Sequence, residues 1–170
     1  MDTVRAIVKK IDWISQKVGS VVSWVLLFLI GLSCYEVFTR RFLGKPTIWT
    51  HEILSYLFCA SILLCMGYTQ LYKGHANIDI LYDRLSPKRR ALADVVTLTL
   101  LGLFFVLVML IDGYIFAYTS WNMQERTPSA FNFIIYPAKT LIPLGFFFLL
   151  LQIVADIIRS VYYLVKGEAL

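Results

Sequence analysis

The ionisable side chains of this sequence gather at a few positions between long apolar runs, and the densest group follows the first run. That group comprises Glu36, Arg40, Arg41, Lys45 and Glu52. Side chains of opposite charge at this spacing can form ion pairs or contact a charged partner. Gly44 and Pro46 interrupt helical continuity within the segment, and Trp49 has the amphipathic ring that favours a membrane–water boundary. The segment predicts a tight hairpin between two membrane helices, across which Arg and Glu can pair.

Other residue types that commonly carry catalysis lack the partners that catalysis requires. His51 and His75 are the only histidines and fall at span ends on opposite sides, so they cannot jointly ligate a haem. The sequence has no His-Glu-x-x-His motif, and no Ser or Cys stands with a base and an orienting group. We therefore expect no catalytic residue, no cofactor and no metal site.

Two interpretations stay open for the carboxylates near the apolar runs. They could form a proton or cation path, because ionisable groups inside a membrane are costly and usually functional. Alternatively they pair with basic residues at the membrane boundary, and we favour this alternative. The carboxylates are Glu36, Glu52, Asp94 and Asp156, and the possible partners are Arg40, Arg41, Lys88 and Arg159. Glu36 and Asp112 are the equivocal cases, since Asp112 is deep only if the third span continues to Tyr118.

Apolar residues form long runs in this chain rather than the spread pattern of a soluble domain. They make up 59% of the 170 residues and charged residues 16%, against about 25% charged in soluble domains. Runs long enough to cross a hydrocarbon core of about 30 Å occupy residues 19–39, 53–71, 91–118 and 140–161. The sequence thus predicts a single all-α membrane domain, residues 1–170, with four transmembrane helices. The net charge of +5 lies at the ends of these runs, which argues against nucleic-acid binding.

Two further segments have the spacing of helices that lie along a membrane surface. In residues 4–18 apolar side chains repeat at helical spacing, while Arg5, Lys9 and Lys10 fall on the other side. We expect this segment to form a helix in the headgroup region; the alternative is that it extends the first span. Residues 77–85 predict a short second interfacial helix in the connection that precedes the third span.

Basic residues are distributed unequally between the two sides of the predicted spans. Four spans place both termini on one side, with eleven Lys and Arg residues there and five on the other side. Because basic residues mark the cytoplasmic side, we expect both termini in the cytoplasm. Arg40, Arg41 and Lys45 then lie outside, which suggests that they pair or contact a partner.

Several residues occur in an order that resembles a known transporter family. They are Arg40 and Arg41, then Pro46, Trp49 and Glu52, then Gly67, Gly74, His75 and Asp79, and finally Pro137, Lys139, Pro143 and Gly145. The order Arg…Pro-x-x-Trp-x-x-Glu followed by Gly-His-x-x-x-Asp is the most specific part. Over about residues 15–165 the chain resembles the small membrane subunit of tripartite ATP-independent periplasmic (TRAP) transporters, the DctQ-type family.

The resemblance implies a non-enzymatic role that the chain fulfils with partners in a bacterial inner membrane. In that family a small subunit packs as a scaffold against a large membrane subunit, which holds the substrate and sodium sites. A periplasmic binding protein delivers an organic acid. The residues that the resemblance implies in structural or partner contacts are Arg40, Arg41, Trp49, Glu52, His75 and Asp79. Two other interpretations stay open: a self-sufficient homo-oligomeric exporter or channel, and a membrane anchor for a redox enzyme.

Overall fold

Long helices make up almost all of the computed structural model, which describes residues 2–45, 47–74, 86–129 and 131–167. The helices are α1 (Asp2–Phe42), α2 (Thr50–Leu71), α3 (Pro87–Thr97), α4 (Phe104–Asn122), α5 (Tyr136–Lys139) and α6 (Leu141–Lys166). A π-helical segment, Leu98–Leu103, joins α3 to α4, so residues 87–122 form one long helix, called here the third helix. The prediction of an all-α protein with four helices long and apolar enough to span a membrane is confirmed.

α1 is longer than the first predicted span because the residues ahead of that span are helical too. Residues 4–18 and 19–39 belong to one helix, and no proline interrupts it. Four of its buried positions are separated by multiples of seven residues, namely Val8, Ser15, Val22 and Glu36, and Gly19 and Thr39 are buried as well. The early turns therefore continue the face that contacts the bundle. The alternative, in which residues 4–18 extend the first span, therefore agrees with the structure. The location of residues 4–18 at a membrane surface stays a prediction.

The third helix begins where the sequence indicates and continues beyond the predicted span. Ser86 has an extended backbone, with φ −62° and ψ 153°, and Pro87 occupies the first turn, where its missing N–H removes no helical hydrogen bond. At the other end the helix continues to Asn122, past the predicted limit at residue 118. The interfacial helix predicted at residues 77–85 lies outside the described residues.

The helices are arranged around α6, which lies between α2 on one side and the third helix on the other. α1 packs mainly against α2. An apolar cluster fills the contact between the third helix and α6 and comprises Val106, Phe146, Leu149 and Ile153. The third helix packs mainly against α6, and its most apolar stretch is the least buried of the four spans. Most of its surface is therefore open to lipid or to another protein.

Two glycines bring the backbones of α2 and α6 into direct contact. A methyl group at Gly145 would lie 2.5 Å from the carbonyl oxygen of Leu63, and one at Gly67 would lie 2.9 Å from that of Phe148. A carbon atom does not approach an oxygen so closely, so only glycine permits this spacing. Association of membrane helices depends on such close packing, because lipid tails are as apolar as the helix surfaces.

Gly145→Ala is expected to separate α2 from α6 and to destabilise the chain. An added methyl group in a packed contact costs about 1–3 kcal/mol in the free energy of unfolding. Gly31→Ala is the matched control, because a methyl group there has no atom within 4 Å and brings the same gain in helix propensity. Thermal unfolding in detergent compares the two variants, and equal midpoints would contradict the close contact.

Candidate functional site

Polar contacts between the helices are concentrated at two levels of the bundle. The first level, called here the hairpin end, lies where α1 turns into α2 and includes the third connection, residues 123–135. The second level, called here the terminal end, lies at the early turns of α1 and the late turns of α6. Carboxylates take part at both levels, and each one joins two segments of the chain.

At the hairpin end, Glu36 joins the end of α1 to the first connection. Its carboxylate is buried and accepts a hydrogen bond from Arg40 at 2.8 Å. It accepts a second one from the hydroxyl of Thr47, which also contacts the buried hydroxyl of Thr50. The ion pair runs along α1, one turn apart, rather than across the hairpin as predicted. A hydroxyl group bridges the hairpin instead, after Gly44 turns the chain with a φ of 62°.

Glu52 holds the third connection against the start of α2. Its buried carboxylate accepts hydrogen bonds from Thr127 at 3.3 Å and from Ser129. The connection folds back on itself there, since the Thr127 N–H donates to the Phe133 carbonyl and the Phe133 N–H donates to the Thr127 hydroxyl, both at 2.8 Å. Glu52 thus fixes a loop from a distant part of the sequence, and it does so through hydroxyl groups rather than a basic residue.

Glu125 connects the third connection to α4 and α5. Lys139 and the hydroxyl of Ser120, at 2.7 Å, both donate hydrogen bonds to its carboxylate. The Lys139 ammonium also lies 3.9 Å from the centre of the Phe116 ring, within the range of a cation–π contact. The hydrogen bonds from Lys139 and Ser120 lower the pKa of Glu125 below its ordinary value, so this carboxylate is ionised at neutral pH.

At the terminal end, six polar side chains from three helices form one network, called here the Arg159 network. Its members are Asp12, Ser15, Gln70, Gln152, Asp156 and Arg159. Arg159 makes ion pairs with both Asp12 and Asp156. Asp156 also accepts a hydrogen bond from Gln70 at 2.8 Å, which brings α2 into the network. The interpretation that Asp156 pairs with a basic residue is confirmed, and among the possible partners that residue is Arg159.

Gln152 is the buried centre of the Arg159 network. The hydroxyl of Ser15 donates to its carbonyl oxygen at 2.9 Å, and its amide nitrogen donates to Asp12 at 3.2 Å. Both ends of the amide therefore have partners, as a buried polar group requires. These two bonds hold α1 on α6 at a point where the neighbouring side chains are apolar.

The two polar levels lie about one membrane thickness apart. Thr50 at the hairpin end and Gln70 at the terminal end are twenty positions apart on α2, which is about 30 Å at about 1.5 Å per residue. On α1, Ser15 and Glu36 are twenty-one positions apart, or about 32 Å. The separation of the two levels therefore matches the thickness of the hydrocarbon core of a bilayer, which is about 30 Å.

Comparison with known protein families identifies the family to which this helical bundle belongs. The family described as "Tripartite ATP-independent periplasmic transporters, DctQ component" matches residues 29–162, which is most of the chain. The chain belongs to the DctQ family. A comparison with individually curated proteins gave no significant match. The DctQ family implies partnership with a large membrane subunit and a periplasmic binding protein, and the four spanning helices fit a protein of the bacterial inner membrane.

The residues predicted to contact partners have different surroundings in this DctQ-family chain. Arg40 and Glu52 take part in the polar contacts, Arg40 by donating to the equivocal Glu36. Arg41 is exposed beside a surface pocket of about 390 Å³. Trp49 is half-buried and directly precedes α2. His75 and Asp79 lie outside the described residues, so their predicted roles stay predictions.

Asp112 has no partner of the kind that the other named carboxylates have. Because the third helix continues to Asn122, Asp112 lies ten positions, or about 15 Å, inside that end of the helix. Its side chain is exposed, and it makes no hydrogen bond or ion pair within the part of the chain that the structure describes. The interpretation in which carboxylates pair with basic residues therefore does not extend to Asp112.

Sequence reasoning missed the uncharged side chains that complete both levels. They are Thr47, Thr50, Thr127 and Ser129 at the hairpin end and Ser15, Gln70 and Gln152 at the terminal end. A signal was present, since hydroxyl residues cluster in both hairpin-end connections and Gln152 is a lone amide in an apolar run. The partners could not be assigned, because Ser15 and Gln152 are 137 positions apart in the sequence.

Arg159→Met is expected to destabilise the chain, because Asp12 and Asp156 lose their common cation. Hydrogen bonds to charged groups each contribute about 1.5–3 kcal/mol, and partial exposure reduces this, so we expect a loss of about 1–3 kcal/mol. Arg41→Met is the matched control, since Arg41 is exposed and has no partner among the described residues. Thermal unfolding in detergent measures both variants. A midpoint for Arg159→Met that equals the control would contradict the network.

The ion pair of Glu125 predicts a pH dependence of stability with a defined sign. Its pKa is lowered in the folded chain, so its contribution is fully present above the ordinary value of 4.5 and is lost as the pH falls through the lower folded value. Glu125→Gln should remove this part of the acid-induced loss. Unfolding midpoints of both proteins between about pH 3 and 7 measure it, and parallel curves would contradict the expectation.

Proposed function

We propose that this chain is the small membrane subunit of a sodium-driven TRAP transporter that imports an organic acid, and that it acts there as a fixed scaffold for the large membrane subunit. The observation that carries the proposal is the match of the DctQ family to residues 29–162. Substrate and coupling ion follow from the family resemblance and would be bound by the large subunit and the binding protein.

The packing of the bundle supports a fixed role rather than a transporting one. The contact between the third helix and α6 is filled by apolar side chains, and the backbones of α2 and α6 touch at Gly67 and Gly145. An organic acid crossing a membrane needs a polar path, since charged groups are costly in hydrocarbon. Between the two polar levels, the described residues offer no such path inside the bundle. The substrate path is therefore assigned to the large subunit.

The hairpin end is proposed to face the periplasm and to contact the binding protein. The excess of basic residues on the side of the termini supports this orientation. Arg41 is exposed there, and the pocket beside it is lined by Ser33, Glu36, Val37, Arg40 and Arg41. The third connection, fixed by Glu52, lies at the same end of the bundle. Together these features offer a charged surface on rigid supports.

The early turns of α1 are proposed to contact cytoplasmic lipid headgroups. Arg5, Lys9 and Lys10 are exposed there, beyond the Arg159 network. Basic side chains at this position can interact with anionic lipid while the apolar face of the helix stays against the bundle or the acyl boundary. This contact would fix the height of the scaffold in the membrane.

A self-sufficient homo-oligomeric exporter is the second candidate function. One observation favours it: Asp112 is a carboxylate within a membrane-spanning helix and has no partner among the described residues. Such groups often mark ion pathways. A third candidate, a membrane anchor for a redox enzyme, has no residue of this kind in its favour.

Uptake by proteoliposomes distinguishes these functions. With this chain, the large subunit and the binding protein present, we expect sodium-dependent uptake of an organic acid. Omission of this chain should abolish uptake and lower the yield of folded large subunit. The chain alone should give no transport. Transport by the chain alone would instead establish the exporter, and full uptake without the chain would contradict the scaffold.

A further inference from the structure

The depth of Asp112 can be read from contacts between the third helix and α6. A methyl group at Gly113 would meet the side chain of Ile142 at 2.9 Å and the backbone of Pro143 at 3.4 Å, and one at Gly102 would meet Ile153 at 3.6 Å. The third helix and α6 therefore run in opposite directions. Asp112, next to Gly113, lies level with the first turn of α6.

The depth of Asp112 can also be expressed as a position on α2, which extends from one polar level to the other. Gly145 of α6 touches Leu63 of α2, and these two helices run in the same direction, so the level of Asp112 corresponds to about residue 61 on α2. That position is about 16 Å from Thr50 at the hairpin end and about 14 Å from Gln70 at the terminal end. Asp112 thus lies close to the middle of the apolar layer.

Asp112 lies on a side of the third helix that the other described parts of the chain leave largely exposed, although the Phe105 ring contacts that of Phe146 on α6. The side that faces α6 carries Val106, Gly113, Ala117 and Ser120. The exposed line that includes Asp112 at helical spacing comprises Phe105, Val108, Asp112, Ile115 and Thr119; it is called here the Asp112 face. The hydroxyl of Thr119 donates to the carbonyl of Ile115 at 2.9 Å. Asp112 is therefore the one polar group on this face whose hydrogen-bonding capacity is unused within the described chain.

A second copy of this chain does not supply the missing partner. The basic residues nearest to the middle of each span are Lys17 and Arg40, Lys45 and Lys73, Arg90 and Arg126, and Lys139 and Arg159. Most of them lie near the span ends, too far along the helix axis to reach another copy's Asp112. Lys139 lies closest to the level of Asp112, but it is largely buried and already paired with Glu125. An aqueous lumen is disfavoured too, because the side chains beside Asp112 on its face are mostly apolar. What fits the face is an apolar helix that carries one polar donor.

We propose that the Asp112 face is the docking surface for a transmembrane helix of the large membrane subunit, which places a Lys, an Arg or another hydrogen-bond donor against Asp112 at mid-membrane depth. This inference rests on the proposed function and adds to it the surface and the chemistry of the contact. The apolar members of the face supply van der Waals contact, and Asp112 fixes the depth and the identity of the partner helix. A charge at one position specifies register, because a shift of one turn leaves both polar groups unpaired.

Site-specific photo-cross-linking in native membranes tests which side of the third helix is covered. A photoreactive residue replaces Val108 or Thr119 on the Asp112 face, or Leu107 or Tyr114 on the other exposed side, with the large subunit co-expressed. All four positions are exposed in the chain. We expect cross-links to the large subunit from the first pair and only to lipid from the second pair. Cross-links to the large subunit from the second pair alone, or to a second copy from the first pair, would overturn the assignment.

Substitution of Asp112 itself should have opposite effects on the chain alone and on the complex. Asp112→Leu removes an unpaired carboxylate from an apolar surface, so the isolated chain should unfold in detergent at an equal or higher temperature. In the complex it leaves the partner donor unpaired, and recovery of the large subunit with the tagged chain should fall about tenfold or more. Asp112→Glu should restore recovery, and Tyr114→Leu, the matched control, should leave it unchanged.

The outcomes separate failure of this inference from failure of the proposed function. If the large subunit copurifies equally with the native chain and with Asp112→Leu, the docking surface lies elsewhere and the scaffold function stands. If the large subunit never copurifies with the native chain, the proposed function fails as well. A lower unfolding temperature of isolated Asp112→Leu would show that Asp112 stabilises its own chain, and would overturn the docking role.

Discussion

The hydrocarbon interior of a bilayer does not solvate charge, and this constraint determines where nearly every polar contact of the bundle lies. Glu36 and Glu52 at one boundary and Arg159 at the other are paired within the chain. The two levels are separated by about 30 Å, the thickness of the apolar layer. At the boundaries, water and headgroups offset much of the cost of desolvation, so hydrogen bonds there can join helices and connections without burying an isolated charge.

Between the two levels, the helices are held by shape rather than by polarity. Two apolar helices gain no hydrophobic free energy by exchanging contacts with lipid for contacts with each other. Their association therefore depends on close packing. Gly67 and Gly145 provide this contact, because they let α2 and α6 approach until backbone touches backbone. Fixed at both ends and tightly packed between them, α1, α2 and α6 form a rigid unit. The third helix adds to it through one side only, which leaves the remainder of that helix available to a partner.

Sequence reasoning recovered the parts of this structure that depend on local pattern. Four apolar runs predicted four spans, and Arg159 was among the basic residues expected to pair with carboxylates such as Asp156. It could not recover contacts between distant residues, such as Glu52 with Thr127, because many hydroxyl groups near a membrane boundary are equivalent until the fold brings one close. The continuity of α1 was also undetermined, since a cationic amphipathic pattern suits both a surface helix and an extension of a span.

Asp112 links the local sequence pattern of the third helix to the fold and to the proposed association with a partner. A carboxylate near the centre of a membrane helix costs about 2.5–3.5 kcal/mol on insertion, while the many Leu, Phe, Val and Ile residues of the third helix each favour insertion by about 0.3–0.6 kcal/mol. The helix therefore inserts despite Asp112, and the cost remains stored in the isolated chain. A partner that neutralises the carboxylate removes this free-energy cost on binding. The same side chain that weakens the free subunit therefore strengthens its assembly. Carboxylates at the boundaries thus serve the chain's own fold, and the one in the middle serves its association.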